Sequence, residues 1–253
     1  MNIEIYMNRI NLPHFKQLHG IELLKAIHTQ HLLHIPFENL DLMNAIPLSM
    51  DADDVFEKVV NKKRGGLCFE LNSLLYAVLK VLDFNVSFIS GQFWNANKQT
   101  WNPEFSHLAL LVELDEQYLF DVGVGGGFLE PLQLKTNEIY SDVSGTYHFI
   151  EANEDNSLIL QKENELGQWD KLLKVSLIPK RHEQFEPLLL ELQKDEDSIF
   201  KQKKMCSLAT TDGRISLTED ALTITKVGVK TKSPVSSQAE WKQLLQENFG
   251  IIE

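Results

Sequence analysis

One cysteine, one histidine and one aspartate in this chain stand where they could act together on a carbonyl or thioester. Cys68 lies in the run Arg64-Gly65-Gly66-Leu67-Cys68-Phe69-Glu70-Leu71-Asn72. After it, Leu71, Leu74, Leu75, Val78, Leu79 and Leu82 recur at spacings of three and four, the pattern of one helix face. Gly65 and Gly66 mark a turn before that helix, because glycine takes backbone angles that other residues avoid. Cys68 therefore falls near a helix N-terminus, where the positive end of the dipole favours the nucleophilic thiolate. Taken alone, the segment reads equally well as a buried structural cysteine. A thiolate nucleophile works with a base, and the base with an orienting group. Residues Phe105–Leu114 read as a buried strand with His107 near its start, and Tyr118–Gly125 as a second strand ending in Asp121 and glycines. The short polar link Asp115-Glu116-Gln117 makes the pair a hairpin. Such a hairpin brings His107 and Asp121 close across neighbouring strands, with Cys68 as nucleophile, His107 as base and Asp121 fixing the imidazole tautomer. A core histidine and a turn aspartate are the plain alternatives, against which the conjunction of all three in one chain counts.

The elements that must position these groups change in texture along the chain. Up to about residue 85 the pattern is helical: apolar residues at helical spacing over Gly20–Leu33, a helix over Val55–Val60 capped by Ser49 or Asp51, and the Cys68 helix. From Val86 short strands alternate with polar turns: 86–89, 107–114, 118–122, 147–151, 158–162 and 169–175. This spacing suggests an antiparallel barrel or sandwich. A helix over Glu183–Leu192 is expected to be interrupted near Pro187. Strands return over Cys206–Thr210, Arg214–Leu217 and Ala221–Val227, and a last helix runs over Ser237–Asn248 with Ser236 or Ser237 as cap. The fold class is α+β, divided as 1–85, 86–195 and 196–253.

Composition narrows the function. With 253 residues the chain exceeds a typical single domain, and 43% hydrophobic content supports a packed core. No apolar run approaches the ~20 residues of a membrane span, and the N-terminus lacks a secretory core segment. Two cysteines, one of them the candidate nucleophile, suit a reducing cytoplasm rather than a disulfide framework. A net charge of −12 argues against a nucleic-acid surface, although an anionic cofactor can still bind through local cations. His28, His31 and His34 share a helix face, but no Cys or carboxylate set completes a metal site, so no metal is expected. Cys206, in a strand with no base nearby in sequence, reads as structural.

The run Arg64–Asn72 resembles the arylamine N-acetyltransferase signature Arg-Gly-Gly-x-Cys-x-Glu-x-Asn. The run His31–Leu40, with Pro36-Phe37-Glu38-Asn39, is similar to a second hallmark of that family. Ser106-His107 resembles its histidine strand, and Tyr118–Gly125 its aspartate strand with a trailing Gly-x-Gly. Cys206–Arg214 and Asn248–Ile251 extend the likeness over almost the whole chain. The resemblance implies a helical bundle, a β-barrel and an α/β lid, the first two forming a cysteine-protease-like core. It implies two-step acetyl transfer from acetyl-CoA, through acetyl-Cys68, to arylamines, arylhydrazines or N-hydroxyarylamines, as in xenobiotic metabolism. Phe37 becomes an aromatic wall of the acceptor pocket, a core Phe being the alternative. Further substrate or coenzyme A contacts are expected at Phe69, Gln92, Phe93, Val124, Gly125, Gly126 and Thr210. Many relatives carry an aromatic where Val124 stands, which implies a wider pocket, and Glu104 would repel phosphates. Gly123–Gly127 ends a strand without opening a helix, so it is no dinucleotide fingerprint. Oxyanion donors are sought at the Cys68 amide and at Phe69 or the Gly91-Gln92 strand. Arg64 and Glu70 are expected to tie the nucleophile loop down as a buried ion pair, and Glu38 and Asn39 to anchor the N-terminal segment against the site. The same three residues permit other readings: an amide synthase closing rings without acetyl-CoA, a peptide or isopeptide hydrolase, or a non-catalytic relative that binds aromatic ligands or coenzyme A.

Overall fold

The computed structural model describes residues 1–152 and 156–253. The N-terminal part is a helical bundle: α1 (Ile3–Arg9), α2 (Gly20–His34), the short strand β1 (Phe37–Glu38), α3 (Leu40–Met43), α4 (Ala52–Phe56) continued by a π-turn (Glu57–Asn61), and α5 (Cys68–Val81). Asp51, not Ser49, caps α4, accepting from the amides of Asp53 and Asp54. The face of α5 formed by Leu71, Leu74, Leu75, Val78 and Leu79 is buried in the largest apolar cluster, together with Phe88, Leu108 and Leu110 from the sheet beyond. The nucleophile helix is thus held by the bundle on one side and the barrel on the other.

The barrel is built from β2 (Asn85–Asn95), β3 (Thr100–Trp101), β4 (His107–Glu113), β5 (Gln117–Phe120), β6 (Leu132–Gln133), β7 (Ile139–Asp142), β8 (Gly145–Glu151), β9 (Ser157–Glu163) and β10 (Trp169–Ser176). Its order is β6-β5-β4-β2-β10-β9-β8-β7, with β3 paired to β2. A bridge between Thr136 and Phe149 draws the ends together, so the antiparallel sheet is nearly closed. Its interior holds a second apolar cluster that includes Ile89, Leu119, Phe128, Tyr147 and Leu173.

Helix α6 (Glu186–Lys194) leads to the third part. Pro187 starts this helix rather than interrupting it, since proline fits the first turn, where its missing N–H is no loss. Strands β11 (Met205–Thr210), β12 (Gly213–Thr218), β13 (Ala221–Lys226) and β14 (Val229–Pro234) form a meander covered on one face by α7 (Gln238–Phe249). Ser237 caps α7. The sheet has a fifth strand from far away in sequence: β1 pairs with β11, Phe37 opposite Ser207 and Glu38 opposite Cys206. Strand β14 escapes a sequence reading because its residues are all exposed and carry no apolar alternation.

Candidate active site

Cys68 is the first residue of α5. The turn before it depends on glycine for space rather than for unusual angles, since neither Gly65 nor Gly66 has positive φ. A Cβ on Gly65 would lie 1.9 Å from the Pro36 carbonyl oxygen. The turn is laced to β1 by the Gly66 N–H donating to Pro36 O and the Glu38 N–H donating to Gly66 O. Across the site, a Cβ on Gly123 would fall 2.5 Å from the Cys68 Cβ, so this glycine lets the strand end close against the nucleophile.

His107 opens β4, and the register that sets Leu110 opposite Phe120 puts Asp121 just past the end of β5. The His107 Nε2–H donates to Asp121 Oδ2 at 2.6 Å, because a carboxylate only accepts. That leaves Nδ1 uncommitted, with Cys68 near enough for its charge to act on the imidazole. Burial alone would push the imidazole pKa down, but the negative charges of Asp121 and Cys68 overcome burial and raise it to about 10. Asp121 Oδ1 accepts from Asn72 Nδ2 (2.8 Å) and from the Gly123 N–H (2.9 Å). The structure therefore brings Cys68, His107 and Asp121 together. All three are buried, Cys68 the least so at 6% exposure against 1% for each partner.

Two positioning residues escape the sequence reading. Asn72, one turn after Cys68 on α5, also donates to Leu108 O (2.7 Å) and accepts from the Val122 N–H (3.1 Å), joining the nucleophile helix to both strands of the hairpin. Its spacing of four from Cys68 is the signal that could have found it. His28 lies beneath Asp121: its Nδ1–H donates to Leu129 O (2.8 Å), and its Nε2 accepts from the Asp121 N–H (3.3 Å). Burial keeps this histidine neutral, which is the state that arrangement needs. His31 goes instead to Tyr6 OH and His34 to Gln30 O, so the three histidines of α2 serve three separate partners.

Behind the Cys68 turn lies a buried ionic network, and its pairing differs from the expected Arg64–Glu70 bridge. Arg64 reaches Glu38 Oε1 and Asp41 Oδ1, each at 2.8 Å. Glu70 pairs with Lys58 at 2.7 Å, and Lys58 also meets Asp41 Oδ2 at 2.8 Å. The reason is that Glu70 points back to accept the Leu67 N–H, which aims its other oxygen at the π-turn carrying Lys58. Burial raises the Glu70 carboxyl to about 7 despite Lys58. For Lys58, burial is outweighed by Glu70, Glu38 and Asp41, which hold its pKa above the ordinary lysine value.

The remaining expected residues are spread around this centre. Phe37 packs against Gly125, with Phe200 tilted beside it at 6.1 Å. Asn39 clamps the segment leading into β11, donating to Phe200 O and Lys203 O and accepting from the Met205 N–H. The Phe93 ring meets His107 edge-on at 4.8 Å, and Val124 packs beside the barrel interior with it. Phe69 is buried in the main core. The Gln92 amide donates to Asn102 O. The Thr210 hydroxyl donates to Asp212 in the β11–β12 turn, on the same side of the sheet as Cys206 and Leu208. Glu104 is paired with Lys180 at 2.9 Å, which offsets its charge.

A family model described as N-acetyltransferase matches residues 20–252. Over 277 aligned residues the chain is 29% identical to the liver isozyme of arylamine N-acetyltransferase from Gallus gallus, covering 100% of this chain and 96% of the relative. An arylamine N-acetyltransferase from Bacillus cereus, described as having a Cys-His-Glu catalytic triad, superposes with a TM-score of 0.90 at 28% identity over 100% of both chains. The Mycobacterium marinum arylamine N-acetyltransferase solved in complex with CoA superposes with a TM-score of 0.89 at 26% identity, covering 99% of this chain and 93% of the other.

Proposed function

This chain belongs to the arylamine N-acetyltransferase family, and from that premise we propose that it carries acetyl groups from acetyl-CoA to arylamines, arylhydrazines or N-hydroxyarylamines by a two-step route through Cys68. The observation that supports this most is the gathering of Cys68, at the start of α5, with His107, which is hydrogen-bonded to Asp121. In the first step the Cys68 thiolate attacks the thioester carbonyl. The new S–C bond forms, the bond to coenzyme A breaks, and the His107 imidazolium gives its proton to the departing thiolate. In the second step the amine attacks acetyl-Cys68, neutral His107 takes the amine proton, and the Cys68 thiolate is released. Asp121 holds Nε2–H throughout, which fixes the tautomer and leaves Nδ1 for the moving proton. The amides of Cys68 and Phe69, which a helix start leaves without intrahelical acceptors, are the oxyanion donors in this reading. Phe37, Phe93, Val124 and the Gly125-Gly126 segment line the acyl and acceptor space. Weakly basic aromatic amines suit the site because they stay unprotonated at neutral pH. The two free thiols agree with a reducing compartment such as the cytoplasm.

Incubation with acetyl-CoA alone, followed by intact-mass and peptide mass spectrometry, tests the reading. One acetyl group on Cys68, discharged by an added arylamine and absent in Cys68→Ala, is the expected result. Folded protein with an alkylatable Cys68 but no adduct and no released coenzyme A would overturn it and favour the amide-synthase reading.

A further inference from the structure

Helix α5 carries one stripe that the Cys68 site does not use. Ser73, Tyr76, Ala77 and Lys80 follow one another at helical spacing. At 3.6 residues per turn, this stripe lies opposite the leucine face that packs into the core. All four residues line a cavity of about 760 Å³, a volume typical of small-molecule sites. Its other walls come from Met50 and Ala52 around the start of α4, from Phe88 of β2, and from Arg181 and His182 beyond β10. None of Cys68, His107 and Asp121 lines it.

The floor of this cavity is aromatic. Tyr76 stacks on Phe88 with ring centres 4.0 Å apart, and His182 lies against Phe88 at 5.1 Å. The Lys180 N–H donates to Phe88 O, which straps the 180–183 segment to β2 and holds His182 in place. Ser73 is only 3% exposed, and its Oγ lies 3.3 Å from His182 Nε2. That is long for a hydrogen bond, so the buried hydroxyl can turn to a closer acceptor. Three basic and three acidic side chains also line the cavity, and they are not equally committed. Lys180 pairs with Glu104 at 2.9 Å. Asp51 caps α4, and Asp53 meets the amino-terminal ammonium at 3.2 Å. Among the described residues, Lys80 and Arg181 have no carboxylate partner; Lys80 rests over the Tyr76 ring at 5.5 Å. Glu183 is the one acid left. Two free cations thus face one free acid beside a stacked aromatic pair.

We propose that this cavity binds an aromatic carboxylate, separately from the Cys68 centre. The ligand's rings pack against Tyr76, Phe88 and His182, which supply apolar area and ring edges. Its carboxylate is held by Arg181 and Lys80, with the Ser73 hydroxyl as a further donor. The planar fork of Arg181 matches a carboxylate with two parallel hydrogen bonds. The site lies on the helix that carries Cys68 but shares no lining residue with Cys68, His107 or Asp121. It therefore stands whether or not acetyl-CoA is the donor.

Titration calorimetry with 2-naphthoate on wild type, Arg181→Gln and Lys80→Gln tests the site. The alcohol 2-naphthalenemethanol, with the same rings and no charge, is the control ligand. A charge-assisted hydrogen bond is worth about tenfold or more in binding. The expected result is one 2-naphthoate bound per chain, with Kd raised about tenfold in Arg181→Gln and less in Lys80→Gln. The alcohol should bind wild type about tenfold more weakly than the acid. Both substituted side chains are exposed, so the variants should fold, and their rates of Cys68 acylation should match wild type. No binding to wild type would overturn the proposal, and so would equal affinity for acid and alcohol. An affinity unchanged in Arg181→Gln would place the ligand elsewhere, such as the Cys68 cleft, and overturn it too.

Discussion

Two buried charged clusters flank the Cys68 turn, and they do different work with the same residue types. In front, His107 and Asp121 share one short hydrogen bond, and one imidazole nitrogen is left for the cysteine. Behind, Arg64 and Lys58 are shared among Glu38, Asp41 and Glu70, with spare carboxylate oxygens taken by the Leu40 and Leu67 amides. The front cluster keeps one valence open toward a reactive atom. The rear cluster has partners for each charge and serves to hold the turn. A buried acid–base pair is therefore a chemical site only where one of its positions remains uncommitted.

Substitutions on the two sides should separate activity from stability. The largest effect is expected from Cys68→Ser, which abolishes acylation while the melting temperature stays near that of wild type; residual acetyl-enzyme would break the assignment. Asp121→Asn should follow, lowering kcat by about 10⁴ because His107 then loses both its tautomer control and its countercharge. Single-turnover rates with a phosphate-free donor check this. In the rear cluster, Lys58→Met leaves Asp41 and Glu70 short of a partner and should cost about 3–5 kcal/mol of stability. Denaturant midpoints measure that loss, and the acylation rate of the remaining folded fraction should hold. A rate loss matching Asp121→Asn would erase the contrast between the clusters.

pH sharpens the comparison further. The folded pKa of His107, about 10, stands above its ordinary value of 6.5. Its contribution to stability is therefore fully present below about pH 6.5 and is lost as pH rises through about 10. The stability difference between wild type and His107→Gln should shrink across that window in urea titrations; a difference that grows with pH would contradict the charged imidazole. The smallest effect is expected at the partly exposed Lys180–Glu104 pair, where Glu104→Gln should change stability by less than about 1 kcal/mol.

Much of this arrangement is legible in the order of the amino acids. The leucine spacing after Cys68 marks α5, and the polar link 115–117 marks the hairpin that carries His107 and Asp121. Both are local signals, since periodicity and turn chemistry act over a few residues. The motif from Arg64 to Asn72 also places charges beside the nucleophile, but not their partners: Glu70 finds Lys58, and Arg64 finds Glu38 and Asp41.

What the sequence by itself determined is the set of elements and the three residues with the means for acyl transfer. Only the tertiary structure decided which side chains face one another across large separations. Two residues at Phe37 and Glu38 become the edge of a sheet whose other strands begin at Met205. His28 comes to lie under Asp121, and Arg214 lines up with Thr225 and Lys230 across three strands. Such pairings have no local signature, because a side chain's partner is set by how the layers stack and by which polar groups must be satisfied once water is excluded.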